Sequence, residues 1–138
     1  MSYGPSSALQ SAIYDRLSTD AALTALIGDA IYDALPEGPL PPLYVVLGPE
    51  DARAASDQTG RGAWHRVILS VVTDGAGFQP AKEVAGAIND ALAATPLSLT
   101  RGAVSHLSFY RAKARRVGTA DIRRIDLTFR VRTDEAAA

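Results

Sequence analysis

The sequence predicts an α+β domain in which two to three helices pack on a mainly antiparallel sheet of four to five strands. Three observations predict this class: apolar residues at helical spacing in some segments, period-two alternation in others, and the order helices, strands, helix, strands. A length of 138 residues suits a single domain, with neither an internal repeat nor a linker to divide it. We expect residues 1–138 to form one unit, frayed at about 134–138.

The N-terminal region predicts two helices. The first follows serines suited to N-capping, and the second has Asp20 as its cap and Gly28 as the residue after its last turn. Both carry an apolar stripe at helical spacing. The positions predicted to be buried are Leu9, Ile13 and Leu17, and then Leu23, Leu26 and Ile27.

A proline-rich turn separates two predicted strands in the next region. Residues 31–32 form a brief strand, and residues 43–47 a second one, led by prolines at 41–42 that cannot donate ladder hydrogen bonds. The segment 49–62 is polar, rich in small residues and without period. Such segments are typical of long functional loops, so we expect an exposed loop that orders against a partner.

The second half predicts a central strand, the main helix and two further strands. Residues 64–73 are apolar on both sides, which is typical of a covered central strand. Residues 78–97 hold a helix with Pro80 in its first turn. Residues 102–116 alternate weakly, and residues 122–135 alternate cleanly, with one apolar and one polar face. The inward positions of the last strand are Ile125, Leu127, Phe129 and Val131.

Charge is divided unevenly along the chain, although the net charge is only −1. Residues 101–132 contain nine of the fourteen basic residues and only Asp121 and Asp126 as acids. Residues 1–100 are acidic overall. Surfaces of opposite charge favour head-to-tail association, whereas two solvated faces that never meet are the alternative.

Composition excludes several classes of protein. The chain has no cysteine, which excludes disulfide frameworks and thiolate metal sites and is consistent with a reducing cytoplasm. No N-terminal segment resembles a signal peptide, and the longest apolar run, LYVVL, is far too short for a membrane span. We therefore expect no membrane partner.

One glycine-containing turn lies where a phosphate-binding loop would be found. The segment DGAGFQP, residues 74–80, follows a strand and precedes a helix. However, Pro80 stands where a dinucleotide fingerprint has its third glycine, and no Gly-Lys-Ser/Thr is present. The glycines are explained by the geometry of the turn itself, so we predict no bound nucleotide or other cofactor.

Titratable residues do not converge on a reaction. His65 and His106 have no further residues at metal-ligand spacing, and the nearby serines follow no nucleophile pattern. We expect His65 at the edge of the core, hydrogen-bonded to a neighbour. Glu50 and Asp51 are adjacent acids on the predicted loop, expected to face solvent rather than form a catalytic pair. The chain is thus predicted to have no catalytic and no metal-binding residues.

A basic row near the C-terminus raises the possibility of nucleic-acid binding. Arg111, Lys113 and Arg115 share a strand parity with Phe109, an arrangement that can follow a phosphate backbone. The slightly negative net charge and the absence of a known recognition motif argue against sequence-specific binding.

Several segments, taken in order, resemble the tail-terminator (tail-completion) family of long-tailed bacteriophages, prophages and gene transfer agents. The matching features are Gly-x-x-Ile-Tyr-Asp at 28–33, the proline-led strand at 41–47, the loop, the His-x-Val strand at 65–67 and the alanine-rich helix. The resemblance covers the chain from about Leu9 to Glu135 and rests on the order of these structural motifs.

The resemblance implies a structural role and no enzymatic activity. Members form a homo-oligomeric ring, usually of six subunits, on the head-proximal end of the tail tube. The ring ends tube polymerisation and binds the neck or head-completion (stopper) protein, and DNA passes through its lumen. The implied location is the cytoplasm of a bacterial host during assembly, then the tail or neck of the particle.

Contact residues are expected in the loop and in the basic row. Candidates for the subunit, tube or neck interface are Arg53, Asp57, Arg61, Arg111, Lys113, Arg115 and Arg116. Two other interpretations remain open at this point. One is another neck, head-completion or small structural interaction protein, and the other is an enzyme or nucleotide-binding domain.

Overall fold

A five-stranded sheet carries helices on one of its faces. The computed structural model describes residues 3–55, 61–118 and 121–135, and the elements below are those of the described residues. In chain order they are α1 (Ser6–Ser18), α2 (Ala21–Ile27), β1 (Ile31–Tyr32), β2 (Leu43–Ala55), β3 (Arg61–Thr73), α3 (Gln79–Ala94), β4 (Ala103–Val117) and β5 (Ile122–Glu135). The predicted α+β class is confirmed.

The strands lie in the order β1-β2-β3-β5-β4. Only β1 and β2 run parallel, and the other three pairs are antiparallel. Strand β3 is central, as predicted, since it pairs with β2 on one side and with β5 on the other. The sheet therefore has two outer strands: β1, with only two residues, and β4, with fifteen.

The core lies between the helices and one face of the sheet. The stripe of α1 is buried as predicted, and so are the inward residues of β5 and the apolar positions of α3. Leu26 is an exception, because it is 40% exposed. Leu23 and Ile27 of this seven-residue helix already fill the side that packs on the core.

The predicted long loop at 49–62 is wrong over most of its length. Strand β2 continues to Ala55 and β3 begins at Arg61, so the two form a long hairpin. Residues 56–60 lie outside the described residues. A bulge between Leu47 and Glu50 absorbs the Gly-Pro pair and carries the strand through the polar segment. At the other terminus, β5 runs through 134 and 135, where fraying was predicted.

The first helix begins differently from the prediction. Pro5 occupies the N-cap position without a side-chain hydrogen bond, and Ser6 is already helical. At the far end of α1, Arg16 donates to the carbonyls of Ala91 and Thr95 at 2.8 and 2.9 Å. It thereby satisfies acceptors at the C-terminus of α3, which favours a cation. None of the described helices is both long and apolar enough to cross a membrane.

Candidate assembly interface

The sheet face opposite the helices, here called the open face, is covered by no helix of the described chain. Alternation along β5 sends apolar residues to the core and most of its charged residues to the open face, whereas β3 contributes one charged residue to that face, Arg66, beside Trp64 and Ile68. Its cationic residues are Arg53, Arg66, Arg111, Lys113, Arg115, Arg124, Arg130 and Arg132. Its acids are Asp51, Asp126 and Asp134. The open face is therefore basic.

A bulge in β4 sets which residues of the basic row share a side. The register shifts between Phe109 and Arg111, so Phe109 lies opposite Phe129 on the helix side, with ring centroids 6.0 Å apart. The predicted shared parity of Phe109 with the row is wrong because the bulge inserts one residue. Tyr110, the inserted residue, is the aromatic that accompanies the row.

The candidates at the C-terminal end of the row differ in their partners. Arg115 lies 3.5 Å from Asp126, which also accepts from Arg124 at 2.9 Å and from Ser70 at 2.6 Å. Burial raises the pKa of Asp126, and the hydrogen bonds from Ser70 and Arg124 with the nearby guanidinium charges outweigh it, leaving the pKa below its usual value. Arg116 has the opposite parity and pairs with Asp121 at 3.4 Å.

Arg111 and Lys113 have no such partner. Neither forms an ion pair with any residue in the described part of the chain, and both are exposed. They line a groove of about 420 Å³ on the open face, together with Tyr110 and Arg66. Exposed cations without intramolecular partners are available to an acidic surface of another molecule.

Two arginine–aromatic pairs stiffen the open face. The Arg130 guanidinium lies 4.0 Å from the centre of the Trp64 ring, and the Arg66 guanidinium lies 4.6 Å from that of Tyr110. Stacking of this kind holds a flat, cationic side chain in place and retains its charge. Sequence analysis missed both pairs, because each joins residues of different strands and depends on the strand order and register.

The three interface candidates from the predicted loop lie at different places in the β2–β3 hairpin. Arg53 lies on the open face opposite Trp64 and has no ion pair among the described residues. Arg61 begins β3, with its backbone opposite Glu135. Asp57 lies outside the described residues. The structure thus places Arg53 on the same face as the basic row, but on β2, with β3 and β5 between them.

A buried polar network lies on the helix side of the sheet. The fully buried ring of His65 meets Glu50 through Nδ1 at 2.8 Å and Thr133 through Nε2 at 2.9 Å. Because a carboxylate only accepts, Nδ1–H donates to Glu50. Glu50 also accepts from the hydroxyls of Tyr3 at 2.6 Å and Ser6 at 2.9 Å. His65 is hydrogen-bonded at the core as predicted, but Glu50 does not face solvent.

This network makes stability depend on pH through Glu50. Burial raises the pKa of the Glu50 carboxyl, and hydrogen bonds from Tyr3, His65 and Ser6 outweigh it, so its pKa lies below the ordinary 4.5. A depressed carboxyl pKa stabilises the fold above the unfolded-state value, and this contribution is lost as pH falls through the folded-state value.

We expect the free energy of unfolding of the native chain to exceed that of Glu50→Gln at neutral pH, and the difference to shrink as pH falls below about 4.5. Urea unfolding of both proteins between about pH 7 and pH 3 measures this difference. Asp126 is present in both proteins, so its contribution to the pH dependence cancels in the difference between them. If the difference in the free energy of unfolding between the two proteins stays constant over that pH range, the depressed pKa of Glu50 is not the source of the pH dependence.

The helix layer has the opposite charge. Its acids are Asp15, Asp20, Asp29, Asp33, Glu37, Asp74, Glu83 and Asp90, which lie on the helices and the segments that join them. The helices themselves carry two cations, Lys82 and Arg16, and Arg16 is engaged at the end of α3. Arg116 and Arg123 of the strands also point to this side of the sheet, and the acids still outnumber the cations there. The uneven charge of the sequence thus becomes two oppositely charged layers.

The glycine-containing turn before α3 is occupied by a side chain of the same molecule, Arg123. Gly77 has a φ of +83°, which explains its residue type. The carbonyl of Gly75 accepts from Arg123 at 3.0 Å, and the Arg123 guanidinium lies over the Phe78 ring. Among the described residues, no group of three or more His, Cys, Asp or Glu side chains has the geometry of a metal site.

The family model of Tail completion protein gp17 matches residues 11–134, which contain both charged layers. The chain belongs to this family. It is also similar to a chain in a solved structure described as the virion of a native gene transfer agent (GTA) particle, with 56% identity and a TM-score of 0.91. That match covers 96% of this chain and 99% of the other. Comparison with curated proteins gives no match.

The resemblance predicted from the sequence is therefore confirmed. In this tail completion protein the family match begins inside α1, so Tyr3 and Ser6 precede it, while Glu50, His65 and Thr133 lie within it. The hydrogen bonds to Glu50 thus connect the start of the chain to the matched region.

Proposed function

We propose that this chain is a structural protein of a phage-like particle that forms a ring, of hexameric type, at the head-proximal end of the tail tube. The ring ends polymerisation of the tube and joins the tail to the neck or head-completion protein. Membership of the tail completion family supports this role, as does 56% identity to a chain of a gene transfer agent virion.

The observation that carries the ring is the separation of charge between the two layers. The open face is basic and the helix layer is acidic, so one molecule presents complementary patches on opposite sides. Contacts between two different patches are heterologous, and they generate closed rings when the rotation between neighbours closes. Complementary charge steers such contacts and fixes their register.

The titratable groups fit a structural role rather than a catalytic one. His65 is fully buried and hydrogen-bonded to Glu50 and Thr133, so a substrate does not reach it. Assembly takes place in the cytoplasm of the bacterial host. DNA passes through the lumen without sequence-specific binding, and the basic open face meets a neighbouring subunit, because a strongly basic lumen would retain phosphates.

Deletion of the gene tests the proposal. We expect particles in which tubes are overlong and tails are not joined to heads, because the tube has no ring to stop growth and to bind the neck. Electron microscopy of particles from the deletion strain measures tube length and joining. The control is the same strain with the native gene restored.

Tails of normal length that are joined to heads would refute the role. Tails of normal length that remain unjoined would instead support a neck or head-completion protein.

A further inference from the structure

An acidic groove lies at the β1 edge of the helix layer, between α1 and the end of β1. This α1–β1 groove has a volume of about 530 Å³, and Tyr14, Asp15, Tyr32 and Asp33 contribute to its wall. Asp15 and Asp33 are exposed, and neither forms an ion pair with a described residue. The carboxylate of Asp33 accepts one hydrogen bond, from Gln10 at 2.6 Å.

Strand β4, at the other edge of the sheet, carries basic residues that complement the acidic α1–β1 groove. Tyr110, Arg111 and Lys113, here called the β4 patch, combine an aromatic ring that is 47% exposed with two exposed cations. The α1–β1 groove combines the exposed ring of Tyr14 with two carboxylates that form no ion pair with a described residue. Each surface thus offers what the other lacks, namely charge of the opposite sign beside an apolar ring.

We propose that the β4 patch of one copy docks into the α1–β1 groove of the next copy. This inference rests on the proposed ring and specifies which two surfaces form the contact between its subunits. Lys113 and Arg111 pair with Asp33 and Asp15 of the neighbour.

The position of the two surfaces excludes a contact within one molecule. They lie at opposite edges of the sheet, with three strands between β1 and β4, and on opposite faces. Neighbouring strands are about 4.8 Å apart, so roughly 19 Å of sheet separates the two edges. Because the two surfaces lie at opposite edges and on opposite faces, two copies cannot form both contacts with each other at once, so repeated docking runs head to tail and leads to a ring or a chain.

A second copy suits the β4 patch better than a nucleic acid does. Asp51 and Asp126 line the groove beside Arg111 and Lys113, and a phosphate backbone would meet these carboxylates as well. Phosphate-binding surfaces are dominated by basic side chains. A pair of separate carboxylates can meet Arg111 and Lys113 alone, whereas a continuous phosphate backbone would also pass Asp51 and Asp126. The α1–β1 groove carries such a pair, Asp15 and Asp33.

Cysteine cross-linking tests the contact without background reaction from the native chain, which has no cysteine. Lys113→Cys and Asp33→Cys are combined in one chain, expressed in the producing strain, and treated in intact particles with a short bis-maleimide reagent. We expect a ladder of covalent oligomers extending beyond the dimer, detected by immunoblotting. Each single variant should give dimers at most, because its second cysteine is missing.

Charge exchange provides a second, independent measurement. Lys113→Glu alone and Asp33→Lys alone should each reduce the number of joined particles about tenfold or more, because each creates a like-charge contact. The double variant restores opposite charges and should recover most of that loss. Lys82→Glu, which reverses an exposed cation of the helix layer, is the matched control and should leave joining unchanged.

The outcomes separate this inference from the proposed function. Joined particles that give no ladder, or charge variants that are not rescued by exchange, would overturn the docking surfaces and leave the ring in place. Labelling of packaged DNA by a photoreactive maleimide probe attached to Cys at position 113 would place the β4 patch in the lumen and would also overturn the inference. A ladder together with normal, joined tails in the deletion strain would support the contact and refute the proposed function.

Discussion

Particles carrying Arg111→Glu, Lys113→Glu and Arg115→Glu together are expected to lose joined tails by roughly a hundredfold or more. Reversal turns attraction into repulsion at every repeated contact of the proposed ring, and like-charge juxtaposition costs several kcal/mol. The side chains lie exposed on the open face, so the monomer should still fold. Counts of joined, unjoined and overlong tails by electron microscopy measure the effect, and circular dichroism checks folding.

The neighbouring residue in the same strand supplies the control. Arg116 lies on the other side of β4, paired with Asp121, and Arg116→Glu should leave joining close to native. The double reversal at 111 and 113 should approach the triple one, because Arg115 is already partly neutralised by Asp126. Native joining in the triple variant would show that the open face is not an interface.

Glu50→Ala is expected to lower the free energy of unfolding by about 2–4 kcal/mol, a large fraction of the stability of a domain of this size. The substitution leaves Nδ1–H of the buried His65 without its acceptor. It also removes the acceptor of the Tyr3 and Ser6 hydroxyls, which hold the start of α1 against β2.

Asp51→Ala is the matched control for this prediction. Asp51 is the adjacent acid, but it points to the open face, is exposed and forms no ion pair with a described residue. Its removal should change stability by no more than about 0.5 kcal/mol. Urea unfolding followed by tryptophan fluorescence measures both variants. Equal effects at the two positions would mean that the network around His65 contributes little.

Most of the fold could be predicted because its elements carry strong local periodicity. The stripe of α1, the run of β3 and the alternation of β5 each identify an element and the side that it buries. The segment after Leu47 could not be predicted, because small and polar residues carry no hydrophobic period. Pairing with β3 over its whole length makes it a strand, and that pairing is tertiary.

The candidate interface was predictable in charge but not in geometry. The basic row is visible in the sequence, yet a bulge decides that Tyr110, not Phe109, lies beside it. No residue type marks that bulge, because it follows from the register between β4 and β5. The same holds for Glu50 and Asp51, neighbours in sequence that point to opposite sides of the sheet.

The sequence by itself determined the fold class and the unequal division of charge along the chain, since these depend on composition and local pattern, and its resemblance to a known family indicated the family. Only the tertiary structure decided where the charges lie. Folding places the acidic helices and the basic strands on opposite layers, because every helix packs on one face of the sheet and β4 and β5 display their charges on the other. Strand register then leaves Arg111 and Lys113 without an ion pair among the described residues, and it brings Arg115, Arg116 and Glu50 next to their partners.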